Sequence, residues 1–233
     1  MEHNPLEIFF KDKREELTPK QYFAVLAVNA RYENAGIPKD YQHIYLDNSP
    51  AKDDQQRIYK ILDRYVGKFT ESGNIPNLYL YSQETGTGKT TTACAILNEY
   101  IRRRYIYLTK ENLTVPETLG AFLDLNKMQS RYNLANLSKD SDELERMFQD
   151  IKHYTHIPFI VIDDIGVRNA SESFRSLIHM IINDRITNQL PTVYTSNIHV
   201  DSLHRIFDER LQDRIKDKSV ELHFVGESKR GRK

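Results

Sequence analysis

The chain has one cysteine, Cys94, in 233 residues. A single thiol excludes an internal disulfide framework and any all-cysteine zinc cage. Charge of one sign is also missing. The 33 basic and 33 acidic residues cancel, so there is no global electrostatic case for nucleic acid, and any such contact must be local. The densest basic cluster, the closing KRGRK, reads as a solvated end. No apolar run approaches the ~20 residues that span a bilayer. The opening MEHNPLEIFFKDKREE lacks the basic start and apolar run of a signal peptide. The expectation is a cytoplasmic protein. Internal repeats and long low-complexity linkers are absent too. What remains, with 39% hydrophobic residues, is enough to bury the core of one large domain.

The first 34 residues are charged and helix-prone. Thr18 and Pro19 suit the cap and first turn of a helix, in which Tyr22, Phe23, Leu26 and Ala30 recur at helical spacing. A helix over 54–66 carries Ile58, Ile61, Leu62 and Tyr65 on one face. From there apolar strands alternate with helical patterns. Strands are expected at 78–82, 105–109, 158–163, 191–196 and 220–224. Helices are expected at 90–103, 116–131, 141–153, 171–188, 200–206 and 208–216. Alternation of this kind predicts an α/β fold with a parallel sheet covered on both faces.

Residues 79–92, YLYSQETGTGKTTT, hold the end of a phosphate-binding loop. In such a loop, backbone N–H groups at a helix N-terminus converge on an anion. The setting is right, with an apolar strand before and a helix after. Gly86 and Gly88 permit close backbone approach, Thr87 and Thr91 add amides, Lys89 would reach the β- and γ-phosphates, and Thr90 would ligate Mg²⁺. Gln83 stands where the first glycine of the pattern belongs. If that position requires positive φ, the substitution costs roughly 1–2 kcal/mol, little beside several amide–phosphate contacts.

Two further elements belong with the loop. FIVIDD ends an apolar strand on Asp163 and Asp164. An acid delivered to the C-terminal edge of a sheet is how Mg²⁺ is held beside bound phosphates. Asp163 would act on the metal and Asp164 on the attacking water, although DDIG is also a good turn. PTVYTSN places Asn197 at the end of another strand, where its amide could reach the γ-phosphate and the water.

With these residues assembled, the chain resembles the AAA+ ATPases, in particular the DnaC/DnaI-type replicative helicase loaders and the related IstB transposition helpers. The resemblance covers about residues 34–232 and implies a P-loop NTPase fold. That fold is a three-layer αβα sandwich around a parallel five-stranded sheet, lacking a C-terminal helical lid. It implies a short helical segment over 1–34 and an ATPase domain over 35–233, with a loader-specific helical insert at about 116–153. AGIPKDY (35–41) resembles the segment that forms the adenine pocket, which brings in Ile37 and Tyr41. DERLQDRI (208–215) resembles a box whose Arg210 and Arg214 share a helix face. Arg214 would be the arginine finger reaching a neighbouring subunit's ATP, and so the means of self-association. GESKR (226–230) resembles the closing motif whose arginine, Arg230, senses nucleotide, with Lys229 in place of the usual aromatic.

By the same resemblance the insert touches single-stranded DNA. Lys127 and Arg131 supply cations and Tyr132 a stacking surface, worth ~1–3 kcal/mol per base, unless they form an ordinary helix surface. No CxxC precedes the core, so a helicase-docking element would be the Tyr22, Phe23 and Leu26 face, unless that face packs on the core. The resulting expectation is an ATPase that uses ATP and Mg²⁺ to deliver or open a replicative helicase hexamer. A transposition helper acting on duplex DNA and a catalytically weak decoy are the alternatives.

Overall fold

A computed structural model describes residues 19–70, 74–166 and 170–226. The Thr18 cap and Arg230 lie outside them. Helix α1 runs Pro19–Asn34, α2 Gln56–Gly67, and strand β1 Asn77–Tyr81. Then come α3 (Lys89–Lys110), β2 (Ala121–Asp124), α4 (Leu125–Ser138), α5 (Ser141–His156) and β3 (Ile160–Asp163). The chain continues through α6 (Glu172–Thr187), β4 (Thr192–Ser196), a 3-10 turn (Val200–Arg205), α7 (Glu209–Lys218) and β5 (Ser219–His223). The strands stand in the order β2-β3-β4-β1-β5, and every pairing is parallel.

Period-2 alternation sorts each strand between two cores. Leu78 and Leu80 of β1, Phe122 of β2, Val161 of β3 and Val193 of β4 pack on one side, against α1, α2 and α3. Tyr79, Leu123, Ile160, Ile162 and Tyr194 pack on the other, against α5, α6 and α7. This is the expected sandwich, with both sheet faces buried as parallel strands require.

One strand was misplaced by the pattern. Residues 105–109, YIYLT, are not a strand but the last turns of α3, which runs unbroken for 22 residues. Extending a formed helix fixes one residue per hydrogen bond. Nothing interrupts this one until Asn112, which has a positive φ of 53°. The Arg31 guanidinium lies over the Tyr105 ring at 5.0 Å and that of Arg104 over Tyr107 at 5.1 Å, so the aromatics serve as covers for cations. The true second strand is AFLD (121–124), within the segment read as helix 116–131. It is short and runs directly into α4 at Leu125.

The α1 helix is turned the other way from its most conspicuous face. Tyr22, Phe23 and Leu26 are 52%, 67% and 46% exposed, while Val28 and Tyr32 are buried in the core. Ala30 is exposed as well. On α2, Ile58, Leu62 and Tyr65 are buried as expected, but Ile61 is exposed. Arg31 straps α1 to the chain ahead of β2 by donating to the carbonyls of Pro116 at 2.9 Å and Val115 at 3.3 Å. The second half of α1 therefore shares the core of the sandwich.

Candidate functional site

The strand ends of β1, β3 and β4 open on one cleft of about 530 Å³, within the usual range for small-ligand sites. Residues Thr85–Thr91 form its floor. Gly86 and Gly88 take positive φ, 74° and 94°, a conformation that favours glycine at both. Gly88 also meets a neighbour: a Cβ there would lie 2.4 Å from that of Ala51. The loop opens α3, with the Thr92 N–H bonded to the Gly88 carbonyl at 2.8 Å. Lys89 reaches back across the loop, its Nζ donating to the carbonyls of Glu84 at 2.9 Å and Ser82 at 3.2 Å.

Gln83 carries no strain. Among the described residues, only Asn112, Lys139, Asp164 and Gln189 are non-glycines with positive φ. The missing first glycine thus costs no backbone energy, and the cost allowed for it is not incurred.

The acid pair stands opposite the loop. The Thr90 hydroxyl donates to Asp163 Oδ1 at 3.0 Å, and the Thr195 hydroxyl donates to the same oxygen at 2.6 Å. Burial pushes the Asp163 carboxyl above its ordinary range, and the bonds from Thr195 and Thr90 pull it back. Asp164 sits at φ 60°, a left-handed conformation that an L residue disfavours. Its carboxylate accepts from Asn126 Nδ2 at 2.7 Å. Asn197 lines the same cleft, and its buried Oδ1 has no hydrogen-bond partner.

The donor set suits a hard cation held jointly with phosphates. A hydroxyl and a carboxylate 3.0 Å apart face the loop. Among the described residues no cluster of three or more His, Cys, Asp or Glu side chains forms a protein-only cage. Magnesium is commonly held this way, by one or two carboxylates and the substrate's own oxygens.

Several lining residues carry no sequence signal. Pro50, Ala51 and Asp54 form a wall beside Tyr41. That wall is tied down from behind. Asn98 of α3 donates to the carbonyls of Tyr41 at 2.6 Å and Ile44 at 2.8 Å. The Tyr59 hydroxyl bridges Ser49 and Thr92. Gln55 bonds the Val225 carbonyl at 2.6 Å, linking the wall to the end of the sheet. Ile37 is a correction. It is 3% exposed within the core and does not line the cleft, because Gly36, at φ 71°, turns the chain inward there. Asp124 and Asn126, at the start of α4, also line the cleft and were not foreseen.

The DNA-contact group does not hold together as a set. Arg131 is clasped by Glu143 at 2.7 Å and Asp150 at 3.0 Å. Tyr132 packs on Phe174, ring centroids 5.7 Å apart. Both residues are occupied, Arg131 by α5 and Tyr132 by α6, and of the three Lys127 alone is exposed. Arg214 lies outside the cleft. It donates to Asn183 and, at 3.2 Å, to Thr187 of α6. Arg210 is exposed on the same helix.

The sheet order, the loop between β1 and α3, and the acid pair closing β3 define the fold of a P-loop AAA+ domain. Among proteins of that fold, the chain is similar to the DnaC/DnaI-type replicative helicase loaders. The replicative helicase loader DnaC of Escherichia coli K12 is 26% identical over 186 residues, 79% of this chain and 68% of that protein. The replicative helicase loader DnaI of Bacillus subtilis 168 is 25% identical over 186 residues, 74% of this chain. The chain spans about half, 53%, of that DnaI. The crystal structure of DnaI superposes with a TM-score of 0.61 at 21% identity, covering 83% of this chain and 94% of that one. The replication initiator DnaA bound to AMPPCP and single-stranded DNA superposes with a TM-score of 0.57 at 15% identity, covering 82% of this chain and 51% of that one. No family model matches the chain. Among the described residues no helix is long and apolar enough to cross a membrane.

Proposed function

We propose that the chain is an ATP-dependent loader of a replicative DNA helicase. The carrying observation is the convergence of Lys89, the hydrogen-bonded Thr90–Asp163 pair, Asp164 and Asn197 on one loop-floored cleft. In this reading the amides of residues 86–91 and the Lys89 ammonium hold the phosphates of ATP, and Tyr41 lies toward the base. Thr90 and Asp163 hold Mg²⁺, which when bound offsets charge developing on the phosphates. Asp164 and Asn197 orient the attacking water.

Arg214 acts on the nucleotide of an adjacent copy, which makes the active assembly an oligomer. Its position outside its own cleft and its two neutral partners support that role. Arg230 would add a second contact to nucleotide. The exposed Tyr22, Phe23 and Leu26 face docks the helicase, an assignment supported by their exposure on one helix. Lys127, at the N-terminal end of α4, is the cation retained for single-stranded DNA. ATP hydrolysis then times the grip on helicase and strand.

Steady-state ATP turnover, with and without single-stranded DNA, tests this with Lys89→Ala as the blank. Turnover above the blank that responds to single strands and not to duplex supports the loader. Response to duplex alone supports the transposition helper. A chain that neither turns over nor binds ATP, yet holds the helicase, is a decoy.

A further inference from the structure

A buried hydroxyl of the cleft, that of Thr195, has no role in the sequence reading or in the assignment above. Thr195 is 2% exposed on β4, where a threonine reads as an ordinary strand former. It bonds to the last residue of β3 and to the two that follow it. Its hydroxyl donates to Asp163 Oδ1 at 2.6 Å and accepts from the Asp164 N–H at 2.9 Å. Its carbonyl accepts from the Ile165 N–H at 2.9 Å. A hydroxyl carries a single hydrogen. With the Asp164 amide filling an acceptor position, that hydrogen is committed to the Asp163 carboxylate.

Both acids are therefore set by one side chain. The Thr90 and Thr195 hydroxyls converge on Asp163 Oδ1, which keeps Oδ2 out of both bonds and available to a cation. The amide bond also holds Asp164 at φ 60°, where L residues are disfavoured. That turn carries the second carboxylate out of the strand to the place where Asn126 meets it.

We propose that Thr195 is the positioning residue of the acid pair, orienting Asp163 toward the metal and locking the backbone of Asp164 toward the water. This deepens the ATPase reading and rests on it. Binding of a fluorescent ATP analogue is measured in EDTA and across a Mg²⁺ titration, for wild type, Thr195→Val, Thr195→Ala and Thr195→Ser. Affinity in EDTA is expected to stay within about twofold in all four, since the loop amides are untouched. The Mg²⁺ concentration that half-tightens binding should rise about 10–100-fold in Val and Ala, the usual effect of losing an outer-shell partner, and return in Ser. In the nucleotide-free protein the Asp164 amide should exchange about tenfold faster in Val and Ala but not in Ser. Unchanged Mg²⁺ dependence and an unchanged Asp164 amide in Val and Ala, beside a wild type that turns over ATP, overturn the positioning role alone. A wild-type chain that binds no nucleotide overturns the ATPase reading instead.

Discussion

Two arginines of this chain stand in opposite electrostatic company. Arg131 on α4 lies between two carboxylates, Glu143 and Asp150. Arg214 on α7 is held by an amide and a hydroxyl, Asn183 and Thr187. Neutral partners fix a guanidinium's direction and leave its charge in place. Carboxylate partners fix it and cancel its field. Arg131 is therefore a strut of the α4–α5 hairpin, whereas Arg214 is bonded to neutral side chains. The same contrast separates the regions around them. The cleft holds its floor largely with backbone groups. The hairpin ties its two helices together with charged side chains, Arg131 to Glu143 and Asp150.

The largest test of that contrast is Arg214→Ala. Loss of an arginine finger in related chemistry is worth ~10³–10⁵ in rate. Turnover should fall by about that range while ATP binding persists, as read by steady-state hydrolysis beside equilibrium binding. Normal turnover would place Arg214 with Arg131, as a strut. Next comes Gly88→Ala, in which the new Cβ meets Ala51 at 2.4 Å and the backbone is held at φ 94°. The left-handed penalty alone, ~1–2 kcal/mol, predicts about 5–30-fold weaker nucleotide binding by fluorescence titration.

Arg131→Ala should lower stability in urea denaturation by about 1 kcal/mol, the scale of a half-exposed ion pair. The salt slope of single-strand binding should not change, whereas Lys127→Ala should reduce it by about one. A reduced slope in Arg131→Ala would return that residue to the DNA surface. The smallest effect is expected of Gln83→Gly. Since Gln83 has no positive φ, restoring the glycine relieves no strain, and ATP affinity should move by less than about twofold. Stability should drop by about 0.5–1 kcal/mol, because glycine has more freedom to lose on folding.

These regions also differ in how far they were legible. The cleft floor was readable because a glycine-rich turn between a strand and a helix organises its own backbone. Four of the five strands lay where apolar runs placed them. The second did not, because its apolar run, Ala-Phe-Leu, leads directly into a helix, and the Tyr-Ile-Tyr-Leu run that mimicked it was absorbed by a helix already propagating. On α4, Lys127 and Arg131 lie one turn apart. Spacing does not say which carboxylates arrive from α5. On α1 it found the Tyr22, Phe23 and Leu26 face but not whether that face met solvent or core.

By itself the sequence determined the phosphate loop, the acids ending β3, the amide ending β4 and the αβα layering. Each follows from neighbours within a few residues or from a repeating apolar period. Tertiary structure alone decided the wall of Pro50, Ala51 and Asp54, the clasp of Asn126 on Asp164, the hold of Thr195 on both acids and the fate of Arg131. Those depend on partners from 12 to more than 30 residues away, whose arrival is set by how the layers close around a shared core and not by any local preference of the chain.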